Sequence, residues 1–91
     1  MSDLNKLYER VAGLVPIERS ELEFLSQKGI NTEHDLKYIS FHDLPDTVLI
    51  VTRRKICLVG QFLSLRGDLD LITTMDNVQT YVFKKQLPSS N

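Results

Sequence analysis

Two short blocks, eight residues apart, restrict this chain more than any other feature. Thr32-Glu33-His34-Asp35-Leu36 is answered by Ser40-Phe41-His42-Asp43-Leu44. Each opens with a hydroxyl residue, places Asp three positions on and ends in an apolar anchor. A hydroxyl there accepts from backbone N–H groups that the first helical turn leaves unpaired, and the Asp lies where the helix dipole favours negative charge. The spacing predicts two short helices, about residues 32–39 and 40–45, turning sharply between Ile39 and Ser40. Short capped helices joined by tight turns point to an all-α fold.

The flanking segments agree. Leu4, Leu7, Tyr8, Val11, Leu14 and Val15 recur at spacings of three and four, one helical stripe. Ser2 or Asp3 can cap its start, Gly13 weakens its end, and Pro16 stops it near Val15. The second helix starts either at Pro16, which suits a first turn, or at Ser20, which has Glu23 at capping-box spacing. Leu22 and Leu25, with Phe24, face inward; Gly29 is the left-handed stop, after which Ile30 folds back. Pro45 ends the second short helix. A longer helix starts between Asp46 and Thr52 and runs to about Leu65, with Leu49, Ile56, Val59 and Leu63 on one face, Phe62 beside it and Arg66-Gly67 closing it. For the tail two readings compete: a hairpin turning at Asp76-Asn77, or a helix from about Thr74 with Met75, Val78, Tyr81 and Val82 on one side. The helix is preferred because the rest of the chain is helical. Pro88 to Asn91 should fray.

Ninety-one residues suffice for a single domain, here 1–87 with a tail of 88–91. A single cysteine, Cys57, excludes an internal disulfide framework and a cysteine-cluster zinc site. Apolar runs such as Val48–Val51 are far shorter than the roughly 20 residues a bilayer span needs. The start lacks the layout of a secretory leader, so the expectation is an intracellular chain, cytoplasmic or nuclear, with no membrane partner.

The net charge of −1 conceals an uneven layout. Between residues 18 and 46, Glu18, Glu21, Glu23, Glu33, Asp35, Asp43 and Asp46 face Arg19, Lys28 and Lys37. Between 47 and 67, Arg53, Arg54, Lys55 and Arg66 stand with no acid. Cations early in a helix oppose its dipole, which hints that they serve a contact. Three readings apply to Arg53-Arg54-Lys55: a solvated helix start, a protein-contact patch, or phosphate binding. The last lacks the Gly-rich turn that lets backbone N–H groups close on a phosphate, and the chain as a whole is not basic.

No catalytic set emerges. Cys57 lies between apolar neighbours with no general base near it in sequence, and no serine sits in a nucleophile elbow. The His34-Asp35 and His42-Asp43 pairs carry metal-ligating atoms, but capping accounts for their carboxylates. The reading is therefore no enzyme, no metal and no cofactor. Phe41, in the first turn of a short helix, either plugs a gap against the long helix or stands exposed as a contact anchor.

Residues 22–65, about half the chain, resemble a sterile alpha motif (SAM) domain. The resemblance rests on Phe24, Ile30, Leu36, the step Ile39-Ser40-Phe41-His42-Asp43-Leu44, and Arg53-Arg54-Lys55-Ile56 followed by Phe62, Leu63 and Leu65. The chain carries Val48-Leu49-Ile50-Val51-Thr52 where the family has Leu-Gly-Ile and then Gly-His-Arg. The resemblance implies a SAM-like five-helix bundle with an additional C-terminal helix or hairpin. It also implies a non-catalytic protein-interaction module, associating with a protein partner or with itself head to tail. The acidic surface would be Glu33, Asp35, Asp43 and Asp46; the basic one would be Arg53, Arg54 and Lys55, with Phe41 as an anchor. The alternative is a small nucleic-acid-binding module that contacts phosphates through Arg53, Arg54 and Lys55, helped by Lys84 and Lys85.

Overall fold

The structure, a computed structural model, describes residues 3–86. Among them it holds five α-helices, two single 3-10 turns and no strand. The helices are α1 (Asp3–Ala12), α2 (Arg19–Ser26), α3 (Glu33–Leu36), α4 (Ile50–Ser64) and α5 (Met75–Gln86). The 3-10 turns are Phe41–Asp43 and Leu69–Leu71. The Ser2 cap and the fraying of 88–91 lie outside the described residues.

The core is a single cluster. Leu7, Val11 and Val15 of the first stripe meet Leu22 and Leu25 of α2, Leu36 of α3, Ile56, Val59 and Phe62 of α4, and Val78 and Val82 of α5. α4 is the spine. Gly60 lets α3 press against it: a Cβ there would stand 2.6 Å from the Leu36 carbonyl oxygen and 2.8 Å from Ile39 Cγ2. On its other side α5 is locked by Tyr81, whose ring packs edge-on to Phe62 at 4.9 Å and whose hydroxyl donates to the Leu65 carbonyl at 2.8 Å. The tail is therefore a helix, with Val78 and Val82 buried and Met75 and Tyr81 packed against the core, and the hairpin is excluded.

Local chemistry explains the ends. α2 stops where Gly29, at φ 99°, lets the Ile30 N–H reach back to the Leu25 carbonyl at 3.0 Å, which carries Ile30 into the core. α2 starts neither at Pro16 nor at Ser20. Its first residue is Arg19, because the Glu18 N–H donates to Glu21 Oε1 at 3.0 Å, a box made by an acid rather than by a hydroxyl. α4 closes on Arg66, a non-glycine residue at φ 67°, with the Gly67 N–H donating to the Phe62 carbonyl at 2.8 Å.

Two expectations need correction. The short helices are shorter than the spacing implied: α3 spans one turn, and the Ser40 block forms a single 3-10 turn, ended by Pro45. Leu49 does not join the core face of α4. It is the extended residue before the helix, 74% exposed, and Thr52 takes the buried position one turn in.

Candidate protein-docking surface

The two capped blocks are built as their residues suggest. Thr32 Oγ1 accepts from the Asp35 N–H at 3.2 Å, and Asp35 Oδ2 accepts from the Asn31 N–H at 3.2 Å. Ser40 donates its N–H to Asp43 Oδ2 at 2.9 Å. The Asn31 bond, with smaller help from Thr32 and from the charge of His34, holds the Asp35 carboxyl below the usual carboxylate range against a partial loss of solvation. Glu33 is engaged differently: Arg10 reaches it at 2.9 Å and reaches Asp70 at 2.7 Å, clipping α1 to α3 and to the 69–71 turn. Glu33, Asp35 and Asp43 are thus half-buried and bonded within the chain. Of the four acids expected to form an acidic surface, Asp46 is the one that stands exposed.

The basic residues behave otherwise. Arg53 is partly internal: its Nε donates to the Val48 carbonyl at 3.1 Å, and its guanidinium lies 4.8 Å from the centre of the Phe41 ring. Arg54 is exposed, with its guanidinium 5.9 Å from the same ring. Phe41 is accordingly half-buried, a platform for two cations rather than a free anchor. Among the described residues, no ion pair joins Arg53, Arg54 or Lys55 to Glu33, Asp35, Asp43 or Asp46. The two charge sets do not neutralise one another.

Between the Lys37–Phe41 segment, α4 and α5 runs a groove of about 630 Å³. Its apolar wall comes from Ile39, Phe41, Leu58 and Phe83, with the Cys57 thiol among them; Lys37, Arg54 and Lys55 rim it, and no carboxylate lines it. None of the three rim cations enters an ion pair among the described residues. Val51, at the mouth, is 61% exposed and Phe83 is 52% exposed. Leu49 and Ile50 are also exposed at the start of α4. Burial, then the nearby charge of Asp43, pushes the Cys57 thiol up, away from the reactive thiolate.

His34 packs edge-on to Tyr38 and His42 edge-on to Phe41. Among the described residues no three His, Cys, Asp or Glu side chains gather where they could hold a metal ion, and no helix is long and apolar enough to cross a membrane. Lys84 and Lys85 are exposed on α5, and Lys85 leans over the Tyr81 ring.

Sequence reasoning missed Lys37, Leu58 and Phe83 as groove residues. Phe83 carried no signal beyond the strand propensity of its segment, and the groove's other lining residues lie on α4 and in 37–41. Lys37 was counted into the acidic segment, although its side chain lines the basic groove. No family model matches the chain, and no curated protein or solved structure matches it either.

Proposed function

We propose that this chain is a non-catalytic protein–protein interaction module of SAM-like build that associates with itself head to tail, using the basic, apolar-walled groove beside α4 as one of its two surfaces. One observation carries the reading: three cations rim a groove that contains no carboxylate, and none has an ion-pair partner among the described residues. Charges without ion-pair partners steer an encounter and fix its orientation. The apolar wall supplies area that loses water on docking. The SAM-like arrangement is supported by the order of elements, with one-turn capped segments between α2 and the long basic-starting α4.

The test is the molecular mass in solution over a concentration series at low and high salt. The wild type should gain mass with concentration, and less so at high salt. Arg54→Glu combined with Lys55→Glu should remain monomeric. Equal mass curves for the two proteins would overturn the reading. A generic DNA duplex titrated at the same two salt concentrations tests the phosphate-binding alternative, which requires binding that weakens steeply with salt.

A further inference from the structure

A basic groove on a self-associating chain needs an acidic, apolar counterpart on the same chain. Asp35, Asp43 and Glu33 are bonded within the chain and half-buried, whereas Asp68 and Asp70, though bonded too, stand exposed. Among the described residues the most exposed large apolar side chain lies elsewhere: Leu71, 82% exposed, in the turn Asp68-Leu69-Asp70-Leu71. Leu69 is buried and anchors this turn, while Leu71 points away from the core. Two exposed carboxylates, Asp68 and Asp70, precede it in the same turn.

The turn is rigidly held. The Leu71 N–H donates to the Asp68 carbonyl at 3.0 Å, the Asp70 N–H donates to Asp68 Oδ1 at 2.9 Å, and Arg10 grips Asp70 from α1 at 2.7 Å. A leucine presented this way loses little freedom on docking. It has the two properties the groove lacks: an apolar tip to meet Phe83 and Leu58, and negative charge to meet Lys37, Arg54 and Lys55. The turn and the groove share no residue, so one copy can offer both at once.

We infer that Leu71, with Asp68 and Asp70 of the same turn, inserts into the Lys37–Arg54–Lys55 groove of a second copy. The inference rests on the self-association proposed above and names its acidic half. Because knob and groove are different surfaces, the contact is heterologous. It builds open chains, or rings if the rotation closes.

Complementary variants test it. Leu71→Glu removes the knob and leaves the groove; Phe83→Asp closes the groove and leaves the knob. Both side chains are largely exposed, and circular dichroism verifies that each variant is folded. By sedimentation velocity, each variant alone should be monomeric at concentrations where the wild type assembles. Their mixture should give a one-to-one dimer and nothing larger, since each copy keeps one working surface. A second pair, Lys37→Glu and Asp68→Lys, should weaken assembly by about ten-fold or more singly and recover part of it when combined in one chain. If the wild type assembles and the single variants assemble equally well, knob and groove are overturned while self-association stands. If the wild type stays monomeric throughout, self-association and this contact fail together.

Discussion

The segment 32–46 and the first turns of α4 each carry charge of one predominant sign, and they use it in opposite ways. In the first, carboxylates face inward along the chain, onto the N–H groups of Asn31 and Ser40 and onto Arg10. There they hold short helices that could not persist alone, since one helical turn in water is unstable without caps and packing. In the second, Arg54 and Lys55 lie in the second turn of α4 and have no acidic partner among the described residues. The lesson is that a run of charge marks a surface only where its groups stay exposed to solvent. Glu33, Asp35 and Asp43 build the scaffold, while Lys37, Arg54 and Lys55 around the groove have no ion-pair partner among the described residues.

This contrast can be broken most directly by reversing the free bases. Arg54→Glu with Lys55→Glu should weaken self-association by about 100-fold, because like charges placed together across an interface cost several kcal/mol. The melting temperature should barely move, as an exposed charge contributes little to stability. Sedimentation equilibrium and a thermal melt read the two effects separately.

The next largest effect lies under the acidic blocks. Gly60→Ala places a Cβ against the Leu36 carbonyl and Ile39 Cγ2 and should cost about 1–3 kcal/mol, measured by urea denaturation. It should weaken association as well, because Ile39 and Lys37 shape one wall of the groove. Thr32→Ala follows, losing the cap on Asp35 for about 1 kcal/mol with association unchanged when corrected for the folded fraction.

The smallest effect is in pH. The Asp35 carboxyl titrates below its unfolded value, so its contribution is present above the ordinary carboxylate range and is lost as pH falls through the lower, folded value. Acid titration of stability should therefore be shallower in Asp35→Asn than in the wild type below about pH 4. Identical acid profiles would mean that the bond from the Asn31 N–H contributes nothing.

What the sequence disclosed follows the range of each interaction. Gly29 and the Thr32 and Ser40 blocks were legible because a cap or a left-handed stop is settled within a few residues. The helical tail was legible as one of two regular patterns; what decides it is Tyr81 against Phe62 and the Leu65 carbonyl, a contact 16 residues away. Leu49 misled because its spacing fits the core face of α4, yet the helix begins one residue later and Thr52 fills the interior place. For the acidic surface the sequence displays charges but not their bonds, and three of those four carboxylates are bonded within the chain. The groove was hidden because it needs Lys37, Leu58 and Phe83 from three separate segments.

The most direct test is residue-resolved. Amide NMR spectra of labelled protein, recorded from dilute to concentrated solution, report which surface changes environment on association. The account predicts shifts and broadening centred on Lys37, Val51, Arg54, Lys55, Leu58 and Phe83, with Thr32 to Leu36 unaffected. Changes centred on Thr32 to Leu36 with the groove silent, or no change at any concentration, would contradict it.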